Sequence, residues 1–365
     1  MLAARAYPDT RVFELVDIPV PEIAAREVLV RVKNAGLTHG LLSLWRDRGR
    51  IKLLPATLSQ EGAGEIAAVG DETFGVSVGD RVRVHPIVAC GRCRSCALGR
   101  TSSCEATFLI GHAIYNDAAL PTYARYHDGT LAEYVRVPVE NVDRIPEGVG
   151  YDEAAKVHVL AVAWRAVRAT EVGFGDTLVV MGATGATGAG AIAAARVFGV
   201  SRVIAVARTA QGLASVVERD PDLVTPLALE SLPQDWRESR RLSAAIRERT
   251  ADGGAHGVVD FLPAERDATE QAIMSLGMGG RAVLSGGNRE QIRLNYGAFR
   301  VKKLSLLSSN GYERRDAVEL MEAVRQRRYD VQRLISHRYP LSDVNSAVVD
   351  IDERRGNPML ISIAV

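Results

Sequence analysis

The stretch TLVVMGATGATGAGAIAAARVFG (177–199) contains an apolar strand, a glycine-rich turn and the start of a helix. Gly182 suits the tight turn, Gly185 lets backbone amides approach a diphosphate, and Gly188 lets the helix pack closely on the sheet. A second apolar strand, RVIAVA (202–207), follows at the distance expected for a strand–helix–strand unit. The stretch therefore predicts a dinucleotide-binding unit, with a turn used only for packing as the alternative.

Outward from this stretch, helical segments alternate with short apolar strands between residues 153 and 298. Such alternation predicts a parallel sheet covered by helices. Residues 1–152 contain instead short strands broken by Gly and Pro, and residues 299–365 contain a helix near 316–326 and a closing strand. The sequence thus predicts an α/β protein, with a Rossmann domain at 153–298 and a β-rich domain formed by 1–152 and 299–365.

The end of the second strand bears on the choice of cofactor. NAD sites usually place an acidic residue there, to hold the ribose 2′-hydroxyl. This chain has Ala207, Arg208 and Thr209 instead. An arginine pairs with a 2′-phosphate, so the pattern favours NADP(H) unless Arg208 simply points into solvent.

All four cysteines lie in CGRCRSCALGRTSSC (90–104). Cys90, Cys93, Cys96 and Cys104 have the spacing of a lobe that wraps four thiolates around one zinc ion. The N-terminal stretch lacks the apolar core of a secretory signal, so we expect a cytoplasmic protein with reduced thiols. Four protein ligands leave no open position on the metal, and the predicted zinc is therefore structural.

Composition narrows the class of partner. Forty-five Lys and Arg against 44 Asp and Glu leave a net charge of +1, which gives no reason to expect nucleic acid or an anionic membrane. The uncharged run 177–195 has too much Gly and Thr for a lipid-facing helix. We therefore expect a small-molecule substrate.

Together these features resemble the medium-chain dehydrogenase/reductase superfamily. The resemblance covers nearly the whole chain and also includes LSQEGAGEIAAVG (58–70), VGDRVRV (78–84), GTLAEYVRVP (129–138) and GGRAVLSGG (279–287). It implies an oxidoreductase with a GroES-like catalytic domain and a Rossmann domain, forming a homo-oligomer through the edge of the central sheet. It also implies a nicotinamide near Ser285 and Gly286. The predicted cofactor-binding residues are Gly182, Thr184, Gly185, Ala186, Thr187, Gly188, Arg208, Thr209, Ser285 and Gly286.

The chain departs from the zinc alcohol dehydrogenases of this superfamily at their catalytic metal. The positions of two ligands, a cysteine and a histidine, hold Thr38 and Gln60, and the third holds His158. Gly40 replaces the hydroxyl residue that relays the alcohol proton, whereas Glu61 remains. The spacing of GATGATG resembles instead the zinc-free quinone oxidoreductase and enoyl reductase branch. We interpret the chain as having kept the structural zinc and lost the catalytic one.

Without a Lewis acid, an isolated carbonyl is hard to polarise, whereas a conjugated acceptor spreads the developing charge. The sequence therefore favours an NADPH-dependent reductase of an activated double bond, a quinone or an iminium-like acceptor. The predicted catalytic residues are His39, His158 and Glu61, with the two histidines as candidate proton donors.

Two other interpretations remain open. In the first, the chain is a zinc-dependent alcohol dehydrogenase or carbonyl reductase with unusual ligands. The catalytic zinc would be bound by His39, Glu61 and His158, which leave one coordination position open. Alternatively, the chain is a nucleotide-binding protein without catalysis.

An aromatic segment follows the cysteines. ATFLIGHAIYNDAALPTYARYHD (106–128) contains Phe108, His112, Tyr115, Tyr123, Tyr126 and His127. We expect it to border the substrate, unless it is a surface loop that packs its own rings.

Overall fold

The computed structural model describes residues 1–47 and 51–365. Its strands are β1 Leu2–Ala6, β2 Glu14–Asp17, β3 Glu27–Leu37, β4 Ala56–Thr57, β5 Gly62–Val69, β6 Arg81–Val84, β7 Ile87–Val88, β8 Phe108–Leu109, β9 Tyr134–Pro138, β10 Val142–Arg144, β11 Thr177–Met181, β12 Arg202–Ala207, β13 Val224–Ala228, β14 Ala255–Asp260, β15 Leu276–Leu284, β16 Ser305–Ser308, β17 Ile335–Pro340 and β18 Leu360–Ala364. Its α-helices are α1 His39–Arg46, α2 Arg94–Ala97, α3 Leu120–Tyr126, α4 Tyr151–Ala155, α5 Val157–Ala169, α6 Ala186–Val197, α7 Ala210–Arg219, α8 Arg241–Arg247, α9 Arg266–Met274, α10 Tyr296–Val301, α11 Arg314–Arg325 and α12 Val344–Glu353.

The chain divides into two compact units. The first, the catalytic unit, comprises residues 1–158, 313–327 and 335–365, and the second, the Rossmann unit, comprises 159–312 and 328–334. The boundaries differ from those expected at 153 and 299. The parallel sheet gains a last strand, β16, beyond residue 298, and Tyr329 is buried in the Rossmann unit, where its hydroxyl donates to the carbonyl of Gly190 at 2.9 Å.

The catalytic unit is built on a sheet with the strand order β10-β6-β5-β3-β18-β17, and β9 also pairs with β3. Alternation along β3 turns Val28, Val30 and Val32 into the core. Strand β18, from the end of the chain, pairs antiparallel with β3, with Ile361 opposite Leu37. The catalytic unit therefore contains residues from both ends of the sequence.

The Rossmann unit contains a parallel sheet in the order β13-β12-β11-β14-β15-β16. Strand β11 lies between β12 and β14. The sheet therefore grows from β11 first on one side, through β12 and β13, and then on the other, through β14, β15 and β16. The crevice at such a switch point, outside the carboxyl ends of the strands, is where this class of sheet binds ligands. The glycine-rich turn after β11 opens into that crevice. Within the described residues, no helix is long and apolar enough to cross a membrane.

Candidate functional site

The four cysteines of 90–104 lie together, with all four sulfur atoms within 4.8 Å of one another. Cys96 Sγ is 3.9 Å from Cys90 Sγ and 3.5 Å from Cys93 Sγ. Four sulfurs bound to one zinc at about 2.3 Å are about 3.8 Å apart, so the cluster has the dimensions of a tetrahedral zinc site. These residues fit a structural zinc, which they would hold without an open coordination position.

Protonation of the cluster is coupled to the binding of a cation. Backbone N–H groups of Arg92 and Cys93 lower the pKa of the Cys90 thiol to about 6. Burial, followed by the Cys93 side chain, raises the pKa of Cys96 to about 12. Without a cation the lobe therefore holds protons, which zinc binding would release.

Glu313 anchors this lobe to the rest of the catalytic unit. Its carboxylate accepts hydrogen bonds from Thr101 Oγ1 at 3.0 Å and Ser102 Oγ at 2.6 Å. The next residue, Arg314, donates to Asp143 at 2.5 Å, and Asp143 also pairs with the buried Arg83. Glu313 therefore holds the lobe by hydrogen bonds, while the adjacent Arg314 joins an ion-paired group in the interior of the unit.

The glycine-rich turn has the geometry of a diphosphate cradle. Gly182 has a φ of +77°, and a Cβ on Gly188 would lie 2.3 Å from the Gly182 carbonyl oxygen, so neither position accepts a side chain without strain. Gly185 caps α6 without a side-chain hydrogen bond. The first amides of α6 are therefore left for an anion, and Thr184, Ala186 and Thr187 border the same turn with partly accessible surface. The residues present fit a nicotinamide dinucleotide.

Arg208 follows the last residue of β12 and is exposed, and no ion pair or side-chain hydrogen bond of it is found among residues 1–47 and 51–365. Thr209 is the N-cap of α7, where its hydroxyl accepts from the Gly212 amide at 3.2 Å. At the end of β15, the amides of Ser285 and Gly286 both donate to the Asp260 carbonyl at 2.9 Å. The buried Ser285 Oγ has no partner among the described residues. The predicted cofactor residues of the Rossmann unit therefore lie at the carboxyl ends of its strands.

Two of the three positions that hold the catalytic metal in zinc alcohol dehydrogenases carry side chains that are not the usual zinc ligands. Thr38 caps α1, with its hydroxyl accepting from the Leu41 amide at 3.2 Å. Gln60 is buried, and its side-chain oxygen has no partner among the described residues. Among those residues, the four cysteines form the only group of three or more His, Cys, Asp or Glu side chains close enough to share an ion. The expected alternative site of His39, Glu61 and His158 is not assembled.

Glu61 forms instead a buried ion pair with Lys156. The two side chains are 1% and 0% exposed, with Lys156 Nζ 2.9 Å from Glu61 Oε2. Lys156 also donates to the backbone carbonyls of Ile361 and, at 3.5 Å, Ala35. A Cβ on Gly36 would lie 1.8 Å from Glu61 Oε2, so this position requires glycine. Lys156 therefore supplies the counter-charge to the buried glutamate.

His158, at the start of α5, lies in a buried polar environment. Burial first, and then nearby His112, Arg83 and His85, lower the pKa of His158 well below its usual value. All four side chains are less than one-tenth exposed. The ring of His158 is therefore neutral near pH 7 and carries one N–H. His39 is exposed at the first position of α1, with Nδ1 3.4 Å from Ser43 Oγ.

Sequence reasoning did not single out Lys156, nor His85 or His112 as neighbours of His158. The aromatic segment 106–128 is also more buried than expected. Phe108 and Tyr123 are fully buried and meet edge to face at 5.5 Å between ring centroids. The Tyr123 hydroxyl donates to the His112 carbonyl at 3.2 Å. These two rings support the alternative in which the segment packs on itself, whereas Tyr115 is about half exposed.

One unit with a parallel sheet and an open diphosphate turn, and another unit with a four-cysteine lobe, together define the class of nicotinamide-dependent oxidoreductases with a structural zinc site. The comparisons agree with this class. The alcohol dehydrogenase GroES-like domain matches residues 24–147, and the zinc-binding dehydrogenase domain matches residues 186–326. The chain belongs to the medium-chain dehydrogenase/reductase superfamily, and the predicted GroES-like and Rossmann architecture is confirmed.

Similar proteins match between about half of the chain and nearly all of it. Probable D-xylulose reductase A of Aspergillus clavatus is 29% identical over 353 residues, which are 95% of this chain and 92% of that protein. Sorbitol dehydrogenase of Bacillus subtilis is 35% identical over 208 residues, or 56% and 55% of the two chains. The solved structure of alcohol dehydrogenase TADH from Thermus sp. ATN1 has a TM-score of 0.87 at 22% identity, with both chains covered completely, and shows the same fold.

Proposed function

We propose that the protein is an NADPH-dependent oxidoreductase that reduces an activated acceptor without a catalytic metal. The acceptor is a conjugated double bond, a quinone or an iminium-like group on a small molecule. The observation that carries the proposal is the Lys156–Glu61 ion pair, buried next to Gln60, which stands where the resemblance to zinc alcohol dehydrogenases implies a metal ligand. A cation held within the chain already neutralises the carboxylate, and two of the three ligand positions hold Thr38 and Gln60 in place of a cysteine and a histidine.

The residues support this chemistry as follows. When bound, NADPH supplies the hydride, and the acceptor's electron pair moves toward its heteroatom. His158, kept neutral by burial, donates its N–H to the atom on which negative charge develops. The buried oxygen of Gln60 is an acceptor for a donor group of the substrate. A delocalised acceptor needs only such hydrogen bonds and one proton, which a water molecule supplies after hydride transfer, whereas an isolated ketone normally needs several kcal/mol from a metal.

We expect the His158→Asn variant to lower kcat roughly 100-fold or more, because a hydrogen bond that strengthens in the transition state is lost. The Kd for NADPH should change less than about twofold, since that site lies in the Rossmann unit. Stopped-flow loss of NADPH absorbance with a quinone or enone measures kcat. The matched His337→Asn variant should retain activity. If kcat falls more in His39→Asn than in His158→Asn, then His39 is the hydrogen-bond donor and the assignment to His158 is wrong.

Cofactor choice is expected to depend on Arg208. A charge-assisted contact with a 2′-phosphate contributes about 1.5–3 kcal/mol, which is roughly 10- to 150-fold in Kd. NADPH should therefore bind more tightly than NADH, and Arg208→Ala should remove most of the difference. Fluorescence titration of both cofactors measures the ratio. Equal affinities in the unsubstituted protein would contradict this assignment.

A second candidate is an oxidoreductase of ketoses and polyols. The similarity to a D-xylulose reductase and a sorbitol dehydrogenase favours it, whereas Thr38 and Gln60, at positions of metal ligands, argue against a metal-assisted route. Activity on ketoses but on neither quinones nor enones would select this candidate.

Exposed apolar side chains along the edge of the parallel sheet support a homo-oligomer. Strand β16 is an edge strand, and Leu306 on it is 38% exposed. Tyr296 and Val301 of the preceding helix α10, and Met278 of β15, are more than 60% exposed. We therefore retain the expectation of a dimer or tetramer formed through this edge.

A further inference from the structure

The carboxyl ends of β12 and β13 bring an arginine and a glutamate to the same place. The two strands are parallel neighbours, with Ala207 opposite Ala228. Just beyond this pair, the amide of Glu230 donates to the carbonyl of Arg208 at 3.0 Å. Both side chains are exposed. Opposite charges therefore originate side by side where the ribose end of a dinucleotide is expected.

The Glu230 carboxylate is fixed at the start of α7. The amide of Ala210, the first residue of that helix, donates to Glu230 Oε1 at 2.7 Å. Thr209 accepts from the Gly212 amide of the same turn. The positive end of α7 is thus already occupied by a carboxylate of the protein, in contrast to the uncapped start of α6.

Arg208 does not neutralise this carboxylate. No ion pair between Arg208 and Glu230, or between Arg208 and any other residue in 1–47 and 51–365, is found. The guanidinium is available to a ligand while the carboxylate keeps its charge. An anionic ligand at this point is therefore attracted by the Arg208 guanidinium and repelled by the Glu230 carboxylate. A ligand with a hydroxyl group can instead donate a hydrogen bond to that carboxylate.

We propose that Glu230 is a second residue determining cofactor specificity and that it acts against Arg208. This inference rests on the proposed use of NADPH. A 2′-phosphate carries a charge of about −1.5 to −2 near neutral pH and is repelled by the carboxylate. The 2′-hydroxyl of NADH instead donates to a carboxylate, as it does to the acidic residue that ends the second strand in NAD sites. The neighbouring strand β13 supplies here the acid that β12 lacks, so the site binds both cofactors, with a moderated preference for NADPH.

The test is the Kd of NADPH and of NADH in Glu230→Gln, measured by fluorescence titration of the full chain. Glutamine keeps an oxygen that accepts from the Ala210 amide, so the start of α7 remains capped. We expect the Kd for NADPH to fall about three- to tenfold at low ionic strength, and the Kd for NADH to stay constant or rise. This decrease in the Kd for NADPH should be smaller in about 0.5 M salt, because salt screens the repulsion between the exposed carboxylate and the 2′-phosphate. Glu230→Ala should shift the ratio in the same direction.

Glu218→Gln is the matched control. Glu218 is an exposed acid on α7, about 12 Å along the helix from Ala210, whose amide Glu230 caps. It should leave the ratio of the two Kd values unchanged. If Arg208→Ala lowers the NADPH preference while Glu230→Gln leaves it within twofold of the unsubstituted protein, the role of Glu230 is refuted and the cofactor assignment stands. If neither substitution changes the ratio, both are refuted. A higher Kd for NADPH in Glu230→Gln would also overturn the inference.

Discussion

Replacement of Cys93 by serine is expected to abolish zinc binding and unfold the lobe at 90–104. Metal analysis of the unsubstituted protein should give one zinc per chain, because the four cysteines are the one assembled metal-binding group among the described residues. Zinc binding in small cysteine-rich domains contributes on the order of 10 kcal/mol, so loss of one ligand removes most of the order of the lobe. Limited proteolysis would then cut within 90–104, while NADPH binding by the Rossmann unit persists.

The matched control is Ser95→Ala, which changes a side chain of the same lobe without removing a sulfur. It should retain one zinc. Hydride transfer should also survive chelators that strip only accessible metal. Two zinc ions per chain, with activity lost as the more labile one leaves, would contradict the metal-free proposal and favour a metal-dependent dehydrogenase with unusual ligands.

Substitution of Lys156 by methionine is expected to destabilise the protein by about 3–5 kcal/mol, because it leaves the charge of Glu61 buried without a partner. Denaturant unfolding measures the change. The double variant Lys156→Met/Glu61→Gln should lose less free energy of unfolding than the two single variants added together. Removing both charges leaves no unpaired charge in the interior. Lys52→Met is the control, because Lys52 pairs with Asp117 at 3.6 Å on the surface. It should cost at most about 1 kcal/mol. A similarly small loss at Lys156 would show that the buried pair is not formed.

The sequence predicted those parts of the structure whose chemistry is local. The glycine-rich turn and the cysteine lobe are each encoded within about two dozen consecutive residues, so their spacing alone indicates their geometry. The ion pair was not predicted because Lys156 is 95 residues from Glu61 and 205 residues from Ile361, which the sheet brings together. Similarly, a motif can place His39 and His158 at two ligand positions, but it does not show that one ring is exposed and the other buried.

The pairing of β18 with β3 has a consequence for how the chain folds during synthesis. The catalytic unit needs residues 360–364 to cover one side of β3 and to supply the Ile361 carbonyl to Lys156. Glu313, which anchors the zinc lobe, is made 212 residues after Thr101. At about 5–20 residues per second, this delay is roughly 10–40 s. Most of the Rossmann unit leaves the ribosome as one continuous segment before then, so the middle of the chain can fold while the unit that begins at the N-terminus is still waiting for its last strand.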